Sequence, residues 1–81
     1  MDNNNQLKHV FSSILEIDAS LINDDLKYQE NPSWDSINHM FLISEIENVF
    51  DIEIDADDIL EMKSFYHTKE VLSKYNLDFN L

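Results

Sequence analysis

The sequence predicts an all-α fold, a small four-helix bundle with three longer helices, one short helix and a long first loop. Two observations carry this prediction. Apolar residues recur at the spacing of one helix face in separate segments, and the stretches between those segments lose the period. The length of 81 residues allows one small domain, 1–81, whose chain hides only about 60 to 65% of its unfolded surface.

The first helix is predicted over about residues 4–16, after the polar lead-in DNNN. Its helical face is formed by Leu7, Val10, Phe11, Ile14 and Leu15. The next stretch, IDASLINDDLKYQENPSW, has no such period. Connections longer than about 12 to 15 residues are usually functional or are held down by their own side chains. The expected anchors of this loop are Leu21, Ile22, Leu26 and Tyr28.

The second helix is predicted to begin at Ser36 and to run to about Phe50. Pro32 disfavours helix in the residue before it, and Asp35 can accept hydrogen bonds from free backbone N–H groups as the N-cap. The predicted core face of this helix consists of Leu42, Ile43, Ile46, Val49 and Phe50.

Two short elements are predicted after the second helix. The segment DIEID alternates and should point Ile52 and Ile54 inward, and ADDILEM should form a short helix capped by Asp55. That helix should bury Ile59, Leu60 or Met62. A last helix, HTKEVLSKY, should turn Val71, Leu72 and Tyr75 inward, with Phe65 packed beneath the preceding turn.

The second helix also carries apolar residues opposite its core face. Ile37, Met40 and Phe41 share that side, with acidic Glu45 and Glu47 at its edges. We interpret this face as a contact patch ringed by acid. The alternatives are that the long first loop covers it, or that these are ordinary exposed apolar residues, which are common on protein surfaces.

The charge balance narrows the range of partners. Seventeen Asp and Glu against five Lys give a formal net charge of −12. Nucleic acids and anionic membranes are therefore poor partners, whereas basic protein surfaces are good ones. The chain shows neither a leader-like start nor an apolar run near twenty residues, so we expect a cytoplasmic protein.

The residue types argue against catalysis and against a metal site. There is no cysteine, and the three histidines lack zinc-ligand spacing. His39 follows Ser36 by one turn, but no third residue is placed to orient it, so we interpret it as a packing histidine bonded to the loop. Trp34 is expected to pack over the helix start. An EF-hand is excluded because Ala56 and Met62 replace the required Gly and Glu, although weak divalent binding remains possible.

The segment WDSINHMFLISEIENVFDIEID resembles the acyl carrier protein family. The family signature is Asp-Ser-Leu at the start of the second helix, followed by an apolar and acidic helix that ends in Phe and a short I-x-I link. The resemblance covers most of the chain, from the first helix to the Val71-Leu72 pair. It implies that Ser36, preceded by Asp35, accepts 4'-phosphopantetheine from coenzyme A. Without this resemblance, the sequence would indicate only that Ser36 helps to cap the helix.

Three departures from the commonest form of that family limit what the resemblance implies. Ile37 replaces the usual Leu, Ser33 stands where many members have Gly, and Trp34 stands where fatty-acid carriers have a small residue. The tryptophan looks more like discrete carriers of specialised biosynthetic pathways than like carriers of housekeeping fatty-acid synthesis.

Two functions follow from the sequence. In the first, the protein is a monomeric, non-catalytic carrier that holds an acyl or aminoacyl group as a thioester. Its partners would then be a phosphopantetheinyl transferase and acyl-loading and acyl-processing enzymes with basic docking surfaces. In the second, it is an unmodified acidic adaptor that binds one basic protein through Ile37, Met40 and Phe41.

Overall fold

The computed structural model describes residues 2–81, which form four α-helices and no β-strand. The helices are α1 (Asn3–Leu15), α2 (Ser36–Phe50), α3 (Ala56–Glu61) and α4 (Phe65–Ser73), with one 3-10 turn at Ala19–Leu21. The all-α prediction is confirmed, with three longer helices and one short one. The last helix begins two residues earlier than predicted because the Ser64 hydroxyl accepts a hydrogen bond from the His67 N–H at 2.9 Å.

Helices α1 and α2 are capped in the same way at both ends. Asp2 and Asp35 are their N-caps, each accepting a hydrogen bond from the backbone N–H three residues on. At the other end, Glu16 and Asp51 both have a φ of 55°, in the left-handed region. Glycine usually fills that position, but this chain has none, so two acidic residues bear the steric cost.

Trp34 belongs to the first loop, yet it is among the largest of the fully buried side chains. Its side chain is fully buried and meets the ring of Phe11 edge-on at 5.1 Å, and Phe11 meets Phe65 in the same way. Aromatic pairs favour this geometry. One tryptophan therefore joins the loop to α1 and, through Phe11, to the start of α4.

The long first loop is fixed to the core and to the α3–α4 link. Ile22 is buried, and Leu26 and Tyr28 are half-buried against the core, as predicted. The N–H of Tyr28 donates to the Lys63 carbonyl, and that of Phe65 donates to the Leu26 carbonyl, both at 2.9 Å. The expectation for Leu21 is wrong, because its side chain lies in the exposed 3-10 turn.

The predicted core face of α2 is correct except at its edge. Leu42, Ile43 and Ile46 are buried, and Phe50 is half-buried against the core. The expectation for Val49 is wrong, since the side chain is 37% exposed. The buried stripe of α2 is therefore narrower than the predicted one, and Val49 lies at its exposed edge.

Helix α3 lies within the predicted segment, and the structure decides which of the apolar residues in and around it are buried. Ile54 and Met62 are buried and Ile59 is half-buried, but Leu60 faces solvent. Asp55 is the N-cap residue, as predicted, but its side chain makes no capping hydrogen bond. Instead, Asp58 is the acidic residue of this helix that turns inward. In a helix of six residues, few side chains can reach the core.

The C-terminal segment closes the end of the core. Phe79 is buried and its ring meets that of Phe50 at 6.1 Å. The side-chain amides of Asn3 and Asn4 donate to the carbonyls of Asp78 and Phe79 at 3.0 and 3.1 Å. The polar lead-in of the sequence thus fastens the chain's two ends together.

Candidate functional site at the start of the second helix

Ser36 is the first residue of α2, and it is exposed. Asp35 precedes it with extended backbone, and its carboxylate accepts from the Asn38 N–H at 2.8 Å. The remaining N–H groups of a first helical turn have no partners within the helix, and they make this end of a helix favourable to anions. The sequence therefore predicted both the helix start and its cap correctly.

The turn that carries Ser36 is held by side chains on both sides. The Asn38 amide donates to the Ser33 carbonyl at 2.7 Å, and the Asn31 side chain accepts from the Ser33 N–H at 2.9 Å. No left-handed residue is needed at Ser33. The positive φ of this region, 69°, lies at Gln29, whose N–H donates to the Trp34 carbonyl at 3.0 Å.

Trp34 and His39 form a hydrogen-bond relay beneath this turn. The indole Nε1–H donates to His39 Nδ1 at 3.0 Å, and His39 Nε2 lies 2.9 Å from the Ile59 carbonyl oxygen. A carbonyl only accepts, so Nε2 must carry the proton. His39 is thus a packing histidine, as predicted, but only one of its ring nitrogens bonds to the loop. The other links α2 to α3.

The apolar patch of α2 is exposed beside Ser36. Ile37, Met40 and Phe41 are 67%, 53% and 57% exposed, so the first loop does not cover them. These three residues are the contact patch referred to below. An exposed apolar cluster of this kind, next to an exposed hydroxyl, is suited to contact with another protein.

The two acidic residues at the edge of the contact patch differ in their surroundings. Glu47 accepts a hydrogen bond from the Ile54 N–H at 2.8 Å and so holds the link that follows α2. Among residues 2–81, only the Asn48 amide approaches the Glu45 carboxylate, at 3.4 Å. Both residues are half-buried, but the Glu45 carboxylate does not bond to another structural element within residues 2–81.

Sequence reasoning missed a second polar cluster, between α3 and the end of α4. The carboxylate of Asp58 lies 2.5 Å from both Lys74 Nζ and Tyr75 Oη. The hydrogen bond from Lys74, followed by that from Tyr75, lowers the pKa of Asp58. The same contacts raise the pKa of Lys74 and of Tyr75. Since Asp58 is 16 and 17 residues from its partners, no local spacing pointed to this cluster.

Metal binding and membrane insertion find no support in the part of the chain that the structure describes. Within residues 2–81, no three His, Cys, Asp or Glu side chains are grouped to hold a metal ion. No helix in that range is both long and apolar enough to cross a membrane.

Comparison with known proteins does not assign the chain to a family. No protein-family model matches this sequence, and no curated protein is significantly similar to it. The functional argument therefore depends on the site itself.

Proposed function

We propose that this protein is a carrier of the acyl carrier type, with Ser36 as the attachment point of 4'-phosphopantetheine. The observation that carries the proposal is an exposed serine as the first residue of α2, directly after its aspartate cap and beside an exposed apolar patch. The surrounding domain is small, acidic and all-α, with a long first loop. In this proposal the helices are arranged as the four-helix bundle of that family.

The attachment reaction needs an exposed hydroxyl and a partner enzyme. The Ser36 Oγ would attack the phosphorus of coenzyme A that bears pantetheine, and the pyrophosphate bond would break. Adenosine 3',5'-bisphosphate would leave, the hydroxyl proton would pass to a base of the transferase, and a phosphodiester would remain on Ser36. The N-terminal end of α2 favours the negative charge of that group. The protein itself supplies no catalytic residue in this proposal.

The cargo would be an acyl or aminoacyl group, held as a thioester on the arm's thiol. Partner enzymes would read the contact patch, Ile37, Met40 and Phe41, with Glu45 and Glu47 at its rim. With a net charge of −12, the protein is best matched to enzymes with basic docking surfaces and poorly matched to nucleic acid or anionic membranes. We propose a cytoplasmic monomer that serves a specialised biosynthetic pathway.

The second candidate is an unmodified acidic adaptor. The exposure of the contact patch supports it equally well, because binding of one basic partner would not require Ser36. The two candidates differ in whether Ser36 is modified.

The deciding experiment is the intact mass of the protein after incubation with coenzyme A, magnesium and a broad-specificity phosphopantetheinyl transferase. The wild-type protein should gain one phosphopantetheine, and Ser36→Ala should gain none. Ser44→Ala is the matched control, because Ser44 is an exposed serine of the same helix and should not affect modification. An unchanged wild-type mass with several transferases would favour the adaptor, and modification of Ser36→Ala would show that another residue is the acceptor.

A further inference from the structure

Ser36 lies in the sequence between Trp34 and His39, whose side chains are joined by a hydrogen bond. Trp34 lies two residues before the serine and His39 three residues after it. An indole N–H can only donate, so His39 Nδ1 must be unprotonated to accept from it at 3.0 Å. The Nε2 proton is required by the Ile59 carbonyl at 2.9 Å. The complete relay therefore exists only with a neutral imidazole.

Protonation of His39 would break one half of the relay and keep the other. The imidazolium still donates from Nε2 to Ile59, but its Nδ1–H then opposes the Trp34 N–H. The Trp34 side chain is 0% exposed, so its N–H cannot turn to water without movement of the residue. A buried donor without a partner is costly, and the movement that relieves it must occur at Trp34, next to the Asp35-Ser36 turn.

We propose that the Trp34–His39 hydrogen bond is a proton-sensitive clamp on the turn that carries Ser36. While the imidazole is neutral, the clamp holds the turn in the position described above. When His39 is protonated, Trp34 loses its acceptor and the turn loosens, so that the presentation of Ser36 depends on pH. The inference does not require Ser36 to be modified, so its failure would leave the carrier proposal intact, and the reverse is also true.

The surroundings of His39 favour the imidazole as the group that responds. It lines a cavity of about 210 Å³ whose other lining residues are Tyr28, Ile59, Leu60, Met62 and Lys63. The titratable groups among them are a phenol from the first loop and an ammonium from the α3–α4 link, and neither type ordinarily changes charge between pH 5 and 8.

No carboxylate lines this cavity within the described residues. Of the acids on the adjoining helices, Asp35 caps α2 and Asp58 of α3 bonds to Lys74 and Tyr75. Asp57 and Glu61 of α3 line a different cavity, beside Lys74. An imidazolium at His39 would therefore gain no ion pair to offset the lost bond to Trp34.

The test uses the fact that the chain contains one tryptophan, so its indole N–H gives one signal in an NMR spectrum. We would measure proton exchange of that N–H at two pH values, one above and one below the midpoint that the His39 ring signals give, relative to free indole at each pH. The wild-type protection should fall about tenfold or more at the lower pH. The midpoint of the change should coincide with that of the His39 ring signals.

Two substitutions at the same position separate the two bonds of the relay. His39→Asn keeps a non-titrating acceptor near the Nδ1 position, so the indole should stay protected at both pH values. His39→Gln keeps a donor near the Nε2 position but no acceptor for Trp34, so protection should be low at both. His67→Asn, which changes an exposed histidine, should behave as wild type.

The proposal would be overturned by wild-type protection that does not change with pH, or by a pH response that persists in His39→Asn. If either His39 variant fails to fold, the wild-type midpoints decide. Indole and imidazole midpoints that differ would show that another group controls the turn.

Discussion

Two isoleucines on α2 allow the assignment of outward and inward faces to be tested with one chemical change. Ile37 is 67% exposed and Ile46 is 1% exposed. Truncating either one to alanine removes the same atoms from the same helix and changes helix propensity in the same direction. A difference in stability between the two variants therefore reports the burial of the two side chains.

The magnitude follows from the atoms removed. Ile→Ala deletes three carbon groups, each worth about 0.8 kcal/mol when buried, and a cavity term adds to this. Ile46→Ala should therefore lower the free energy of unfolding by about 2 to 5 kcal/mol, whereas Ile37→Ala should change it by about 0.5 kcal/mol or less. In a domain of this size 1 kcal/mol shifts the melting temperature by about 4 to 8 °C. Ile46→Ala should therefore melt at least about 8 °C lower.

Urea unfolding, followed by Trp34 fluorescence and by helical circular dichroism, measures both variants. Trp34 is the single tryptophan and is buried, so its emission reports loss of the core. If Ile37→Ala destabilises the protein as much as Ile46→Ala, the contact patch is part of the core and the reasoning is refuted.

Three further predictions concern charge and docking. Asp58→Asn should destabilise the protein most at neutral pH. Because the pKa of Asp58 is lowered, the stabilising effect of its carboxylate is present above the ordinary carboxyl range and is lost as the pH falls below about 4. A difference in urea midpoint between variant and wild type that does not change with pH would contradict this prediction. Added salt should raise the melting temperature. The nine acids from Asp35 to Glu61 have no Lys among them, and salt screens their mutual repulsion over about 8 to 10 Å. A melting temperature that stays flat or falls would show that other interactions already offset this repulsion. Under the carrier proposal, Phe41→Ala should melt near wild type yet be loaded more slowly by a phosphopantetheinyl transferase, and Glu45→Lys should slow loading most at low salt. Equal loading of both variants and wild type would exclude α2 as the docking face.

Much of the fold could be predicted because it follows from local rules. The apolar period fixed the faces of α1 and α2, and Asp35 fixed where α2 starts. These signals act over three or four residues, within the reach of hydrogen bonds and side chains along one helix. For the same reason the exposed serine and the outward apolar patch could be identified in advance.

Burial predictions stayed open or failed where local signals compete. Leu60 and Ile59 are adjacent apolar residues in a six-residue helix, and the period alone does not distinguish which one faces the core. Leu21 likewise has the composition of an anchor but lies in an exposed turn. Packing against neighbouring elements makes those choices, and a single segment carries no record of its neighbours.

By itself, the sequence determined the helices, the cap of α2, the excess of acid and the serine at the start of α2, because each depends on composition or on residues close together in the chain. Only the tertiary structure decided that Trp34 is fully buried in the core and that His39 joins the Ser36 turn to α3. It also decided that Asp58 meets Lys74 and Tyr75, and that Phe79 closes the far end. These contacts join residues from separate elements, and their energy depends on distance in space, which only the packed chain defines.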